Sequence, residues 1–327
     1  MKAYQFSSPA NGLELVEVEP AHPGSGQVAI DVEAAGMCQS DVHIVNGHGD
    51  DWLRQRPIVL GHEVAGRVRE LGPGVTGVGV GDRVAIALAS HPIEHADFAN
   101  SIGLGFDGGY APRALARVES LVQIPDNVSF ADAAVATDSV ATAYHAVVAE
   151  AEVGPGANVA IIGLGGLGLN AVKISTLFDA NVFGVDINPE TFATARALGA
   201  ESCYANIADI PAAIDVAIDF AGVGSTTTEA VAAVRPGGRV VLVGLGASES
   251  LVSTYQLVIK NVRLVGSIGA SVDELRAVLE LISKGLLTPV LEEVAFADLP
   301  AALARLEAGD VRGRIFTRPG LNRGAGF

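Results

Sequence analysis

Along its first third the chain alternates between apolar and polar positions. "QVAIDVEAAG" (27–36) and "EVAGRVRELG" (63–72) are short runs of this kind, set between stretches rich in glycine and proline. A period of two belongs to half-buried strands, so this region predicts short β-strands gathered into a small barrel or rolled sheet. Near residue 130 the period changes. "SFADAAVATDSVATAYHAVVAEAEV" (129–153) has apolar residues at helical spacing, and Ser129 with Asp132 stands where a helix start places an acceptor and a negative charge. Beyond it, "NVAIIG", "NVFGVD", "AIDVAIDFAG", "GRVVLVGLG" and "VRLVGSIG" are nearly uninterrupted apolar runs separated by helical segments. Strands buried on both faces read in this way, which predicts a parallel sheet covered by helices. After about residue 270 come two amphipathic helices, "SVDELRAVLELISKGLL" and "FADLPAALARLEAGD", each closed by a glycine, and then the strand-like "RGRIFTRP". The tail "LNRGAGF" (321–327) reads as mobile.

At 327 residues the chain has room for two domains. Its 49% apolar content suffices for a large core, yet no run approaches the roughly 20 apolar residues of a membrane span. The N-terminal "MKAYQFSSPANGLELVEVEP" lacks the basic start and apolar stretch of a signal peptide. Two cysteines far apart do not form a disulfide framework and point to the reducing cytoplasm. The net charge of −16 argues against nucleic acid or an anionic membrane as partner, because both are polyanions.

The strongest chemical signal is "NVAIIGLGGLG". Gly163, Gly165 and Gly168 fill the pattern G-x-G-x-x-G between an apolar strand and the helical "LNAVKISTLF". There the glycines permit a tight turn, a close approach to a pyrophosphate and close helix–sheet packing. Gly163, Gly165, Gly166, Leu167 and Gly168 are thus the expected phosphate-binding turn, with helix N–H groups facing the anion. The next strand ends in Asp186, about 20 residues on, where a carboxylate accepts hydrogen bonds from the adenosine ribose. A 2′-phosphate would be repelled by that carboxylate, and no Arg or Lys directly follows in "VDINPETF", so NAD(H) is expected over NADP(H).

The second signal is a gathering of reactive side chains. "AAGMCQSDVHIVNG" (34–47) holds Cys38, Ser40, Asp41 and His43, and "VLGHEVAG" adds His62 and Glu63. A nicotinamide moves hydride, but something must polarise the substrate oxygen, and a catalytic zinc with three protein ligands and one open position does so. Cys38 and His62 are plausible ligands, and Asp138 in "ATDSVATAYHA" offers a third. The remaining polar residues read more plainly. His91, Glu94, His95 and Asp97 are expected as solvated loop residues, Cys203 as packed or inert, Tyr144 and His145 as packing residues. His48 and Trp52 fall in one loop, where Trp52 is a candidate for the substrate pocket.

"GMCQSDVH", "LGHEVAG", "VGDRVAI" and "ATDSVATAYHAV" together resemble the zinc-dependent medium-chain alcohol dehydrogenase family, and the likeness spans essentially the whole chain. The resemblance implies an α/β protein: a GroES-like β-rich catalytic domain of residues 1–138 and 269–327, and a Rossmann doubly wound parallel sheet of residues 139–268. It implies that Cys38, His62 and Asp138 ligate zinc, with Glu63 beside the metal and Asp41 orienting the histidine. Ser40 then takes the substrate proton and His43 ends the relay to solvent, while Arg314 lies near the cofactor pyrophosphate. Where many relatives have a cysteine this chain has Asp138, and the segment "ALASHPIEHADFANSIGLGFDGGYAP" lacks the four cysteines that hold a structural zinc. One catalytic zinc and no structural zinc are therefore expected.

The activity implied is NAD(H)-linked interconversion of a small to medium alcohol, preferably secondary, with its ketone or aldehyde, in a cytoplasmic homodimer or homotetramer that pairs the edge strands of its Rossmann sheets. Two rivals remain at this point. One is a zinc-independent quinone or enoyl reductase of the same superfamily; the other is a non-catalytic NAD-binding regulatory or structural protein.

Overall fold

The computed structural model describes residues 1–88 and 90–320, and the expectation for the tail 321–327 lies outside the described residues. The chain divides into two units: Met1–Ala141 with the chain from Ala270 on, and Thr142–Gly269. The first division falls three residues beyond the expected Asp138, because it lies inside a helical run that offers no break to read.

The first unit begins with β1 (Lys2–Phe6), β2 (Leu13–Glu17), β3 (Gln27–Gly36), α1 (Gln39–Val45), β4 (Ile58–Val59) and β5 (Glu63–Leu71). It continues through β6 (Arg83–Ile86), β7 (Arg113–Arg117), β8 (Leu121–Gln123) and α2 (Phe130–Val135). Strand β3 covers the whole alternating run 27–36. It pairs antiparallel with β5 from Val28↔Leu71 to Gly36↔Glu63, and its first half also pairs with β7. β1, β2 and β4 form a separate three-stranded sheet. Helix α2 starts at Ser129, whose hydroxyl accepts the Asp132 N–H at 3.0 Å, and it runs on as a π turn over Ala136–Val140. That turn carries Asp138. An inserted π turn re-aims the side chains that follow and recurs at functional sites.

After α3 (Ala141–His145) the second unit alternates strand and helix: β9 (Asn158–Ile162), α4 (Gly166–Leu177), β10 (Asn181–Val185), α5 (Phe192–Ala197) and β11 (Ser202–Tyr204). Then come β12 (Ile214–Asp219), α6 (Ser225–Ala233), β13 (Val234–Leu242), α7 (Thr254–Lys260) and β14 (Arg263–Gly266). All six strands are parallel, in the order β11-β10-β9-β12-β13-β14. This is the 3-2-1-4-5-6 order of a doubly wound dinucleotide-binding sheet, whose ligands bind beyond the strand ends where the order reverses. β11 is the one strand of this unit, among the described residues, absent from the sequence reading. At three residues, "SCY" is too short to show a period.

The chain then returns to the first unit through α8 (Val272–Ser283), β15 (Leu291–Val294), α9 (Leu299–Glu307) and β16 (Arg314–Thr317). α8 opens with a capping box: Ser271 N–H donates to Glu274 Oε2 at 2.7 Å, and Glu274 N–H to the Ser271 hydroxyl at 3.2 Å. β16 pairs antiparallel with β3 at Phe316↔Gly36 and Thr317↔Ala35, which draws Arg314 toward the β3–β5 junction. Phe6, Ile30, Met37, Leu60 and Ile315 are fully buried in this unit's core, and Ile162, Val185, Ala217 and Val240 anchor the other. Each large apolar side chain so buried contributes roughly 1.5–3 kcal/mol. No helix among the described residues is long and apolar enough to cross a membrane.

Candidate metal and cofactor sites

Four segments of the first unit bring their polar side chains to one place. Cys38 precedes α1, His62 and Glu63 stand at the start of β5, Asp138 lies on the π turn, and Arg314 opens β16. The donor atoms of Cys38, His62, Glu63 and Asp138 all lie within 4.8 Å of one another. Cys38 Sγ is 3.3 Å from Asp138 Oδ2, and His62 Nε2 is 3.8 Å from the same oxygen. Zinc bonds of about 2.0–2.3 Å put the ligand atoms of a tetrahedral site roughly 3.4–3.6 Å apart, so the spacing suits such an ion.

Electrostatics point the same way. Asp41, His62, Glu63 and Arg314 are buried, and the one permanent cation among several acids is the Arg314 guanidinium. Burial pushes Glu63 up to about 8, with Arg314 opposing and the Asp138 charge reinforcing the rise. Burial works on Asp138 too, but His62 and then Arg314 outweigh it and hold this carboxyl below the ordinary range. Burial disfavours the charged form of His62; Asp41, with Asp138 and Cys38, reverses that and holds a proton on the ring well above its usual value. Three carboxyl groups, Asp41, Glu63 and Asp138, thus face one guanidinium and one imidazole, and a divalent ion would meet that excess of acids. Glu63 Oε2 is buried without a hydrogen-bond partner, while Asp41 Oδ1 and His62 Nδ1 have no partner but each other, as an ion pair at 3.4 Å. The donor set and the charge therefore fit a zinc ion.

Around this cluster the local structure is specific. Asp41 Oδ2 accepts the Cys38 N–H at 2.9 Å and the Tyr110 hydroxyl at 2.7 Å, while Asp41 Oδ1 lies 3.4 Å from His62 Nδ1. Glu63 is fully buried opposite Gly36, where a Cβ would stand 1.9 Å from Glu63 Oε2. Sequence reasoning passes over both Gly36 and Tyr110, since nothing local in "EAAGM" or "DGGYAP" announces a partner so far along the chain. Ser40 Oγ is 3.5 Å from Cys38 Sγ. His43, on α1, stacks on Trp52 with ring centroids 6.3 Å apart and meets His48 edge-on.

Arg314, which the resemblance expects near a pyrophosphate, has its partners within the first unit: its Nε donates to Glu63 Oε1 at 2.9 Å, and its Nη2 donates to that oxygen and to Asp138 Oδ2, the latter at 2.9 Å. The register of β16 against β3 sets it there, and a buried guanidinium takes the carboxylates within reach. Glu94 and His95 are exposed, and the segment 91–97 contributes nothing to the metal-capable cluster. Half-buried Cys203 has its thiol pushed up by burial, which makes it a poor nucleophile. His145 is buried in the second unit, 3.4 Å from Glu150.

In the second unit the turn after β9 shows three separate uses of glycine. Gly163 has φ +86, in the left-handed region. A Cβ on Gly168 would stand 1.8 Å from the Gly163 carbonyl oxygen, so that glycine lets α4 close on the strand. A Cβ on Gly165 would meet no protein atom within 4 Å, so no protein group occupies that side of the turn. Gly166 and Leu167 open α4, where backbone N–H groups have no intrahelical acceptor. Asp186 follows β10, its Oδ2 accepting the Leu164 N–H at 2.7 Å and its Oδ1 the Asn188 N–H at 2.8 Å. Gly163, Asp186, Ile187, Val223 and Thr226 line a cavity of about 400 Å³. One wall is held by buried Asp219, which accepts from the Ala221 and Gly222 N–H groups and from the hydroxyls of Thr226 and Thr227.

One unit thus holds a donor cluster that fits zinc, and the other a glycine-rich turn of the form seen in dinucleotide-binding sheets. Comparison with known proteins agrees. Residues 24–126 match the alcohol dehydrogenase GroES-like domain, and residues 166–284 match the zinc-binding dehydrogenase family. An alcohol dehydrogenase of Geobacillus stearothermophilus is 33% identical over 95% of this chain and 96% of its own. The solved acetophenone reductase of Geotrichum candidum, in complex with NAD, is 32% identical with a TM-score of 0.91, covering 98% of both chains. An alcohol dehydrogenase of the archaeon Aeropyrum pernix superposes with a TM-score of 0.89 at 28% identity, over 98% of this chain and 100% of that one. The chain belongs to the zinc-type medium-chain alcohol dehydrogenase family.

Proposed function

We propose that this protein, an NAD-linked oxidoreductase of alcohols and their carbonyl counterparts, holds one catalytic zinc ion through Cys38, His62 and Asp138 and acts on small to medium, preferably secondary, alcohols. The reading is carried by the convergence of those donor atoms with Glu63 within 4.8 Å. Its preference for secondary alcohols is supported by the likeness to a reductase named for a ketone, acetophenone. When bound, zinc would polarise the substrate oxygen and the nicotinamide would accept or supply hydride.

The chain's own residues do the rest. Ser40 Oγ, beside Cys38 Sγ, takes the hydroxyl proton of the alcohol, and partly exposed His43 delivers it to solvent. Asp41 holds the imidazole of His62 from behind, and Arg314 keeps Glu63 and Asp138 in place. Gly163 to Gly168 receive the pyrophosphate. Asp186, with lone pairs left after its two backbone bonds, accepts from the ribose and disfavours a 2′-phosphate.

The catalytic unit is the one containing Met1–Ala141, and Thr142–Gly269 binds the cofactor. Leu251, Tyr255, Val258 and Ile259 expose apolar side chains on or near α7, close in sequence to edge strand β14, which supports a homodimer or homotetramer joined along that edge. A cytoplasmic location fits a thiolate ligand that must stay reduced. The test is metal analysis together with turnover of primary, secondary and cyclic alcohols. One zinc per chain is expected, and Cys38→Ala should abolish turnover while NAD binding persists. Full turnover by metal-free protein would refute the reading.

A further inference from the structure

Tyr110 lies outside every motif that carries the family resemblance, yet it is fully buried against the site. Its hydroxyl has one proton and two oxygens within reach: Asp41 Oδ2 at 2.7 Å and the Gly36 carbonyl at 3.5 Å. The shorter contact takes the proton. Asp41 Oδ2 is then occupied by two donors, Tyr110 and the Cys38 N–H, which fixes the carboxylate plane and turns Oδ1 to His62 Nδ1, 3.4 Å away.

The ring of Tyr110 does a second thing. It fills the space where a side chain on Gly61 would go: a Cβ there would come within 2.5 Å of the ring. The Tyr110 N–H donates to the Leu60 carbonyl at 3.0 Å, and the Gly109 N–H to the Gly61 carbonyl at 2.7 Å. The backbone at Gly109 and Tyr110 is therefore tied to the residues just before His62. Ring, hydroxyl and backbone all bear on one imidazole.

We propose that Tyr110 is a positioning residue for the metal: through Asp41 and the Gly61 turn it sets the orientation of His62, leaving Nε2 as the donor atom. This rests on the zinc reading above and deepens it. Partners one layer behind a ligand typically change metal affinity by about 10–100-fold when removed. Tyr110→Phe keeps the ring against Gly61 and removes only the hydroxyl, so the expected loss is about tenfold.

The experiment uses the full chain stripped of metal and titrated with Zn²⁺ against a competing chelator, with Co²⁺ as a visible probe. Wild type that takes up no zinc would refute the zinc reading itself. Wild type that binds, with Tyr110→Phe binding equally well, would overturn the role of Tyr110 alone. A cycle with Asp41→Asn separates positioning from general stability. If Tyr110 acts through Asp41, its removal costs nothing further in affinity once Asp41 is changed, whereas two losses that simply multiply would overturn the proposal. If Tyr110→Phe fails to fold, a ring-fluorinated tyrosine at 110 retains the shape and strengthens the donor. The visible bands of the cobalt-loaded protein should then shift, and unchanged bands would count against the role.

Discussion

Gly36 and Glu63 face each other across β3 and β5, and the glutamate occupies the space that any side chain at 36 would need. An added Cβ would meet Glu63 Oε2 at 1.9 Å and the Glu63 Cβ at 2.9 Å. Glu63 cannot swing away cheaply, because it is fully buried and tied to Arg314. Gly36→Ala should therefore destabilise the protein by about 1–3 kcal/mol, the usual cost of overpacking, and reduce turnover by displacing the carboxylate. Denaturant unfolding and an alcohol oxidation assay on the same variant check both parts. An alanine variant with unchanged stability would contradict this close fit.

Arg314 balances two buried carboxyl groups, Glu63 and Asp138. Replacing it by methionine leaves them without their guanidinium, and breaking a buried pair from one side costs about 3–5 kcal/mol. A divalent cation bound by Asp138 would offset part of that cost. The loss on Arg314→Met should thus be larger in metal-free protein than in zinc-loaded protein, as read from unfolding midpoints with and without the metal. Equal losses in the two states would argue that the arginine and the metal do not share these acids.

How far the sequence carries such details depends on distance along the chain. Strand β3 coincides with the alternating run 27–36, and the turn after β9 with its glycine pattern, because period and turn chemistry are local properties. Ser129 announces its helix for the same reason. Gly36, Tyr110 and the partners of Arg314 are set by register between remote strands: 69 residues separate Tyr110 from Asp41, and 251 separate Arg314 from Glu63. Family likeness names Arg314 as a functional position but not its carboxylate partners, which only the pairing of β16 with β3 reveals. The π turn under Asp138 is equally hidden, since one inserted residue hardly alters an alanine-rich helical pattern.

His43 gives the pH dependence a sign. Its pKa is lowered from 6.5, first by partial burial and then by the nearby His48. The neutral ring, which can accept a proton, thus persists to a lower pH than in a free histidine. Alcohol oxidation should rise with pH through this lowered value, and carbonyl reduction, which needs the protonated ring, should fall through it. The same shift makes the ring's contribution to stability present above 6.5 and lost as pH falls through the folded value. Rate–pH profiles of wild type and His48→Gln test this: removing His48 should move the acid limb of oxidation upward, toward 6.5. A limb that stays put would show that His48 has no part in it.

Under the proposed reading Asp186 carries the choice of cofactor, and its geometry makes the prediction two-sided. Both oxygens already accept backbone N–H groups, at Leu164 within the phosphate-binding turn and at Asn188. Removing the carboxylate therefore loosens the turn as well as deleting the ribose acceptor, while it also removes the charge that repels a 2′-phosphate. Hydrogen bonds to a charged group contribute about 1.5–3 kcal/mol, or roughly 10–100-fold in binding. For Asp186→Ala, kcat/KM with NAD should fall by about that factor, whereas the value with NADP should fall far less or rise. Parallel measurements with both cofactors check this, and an equal drop for the two would mean that Asp186 shapes the turn without reading the ribose.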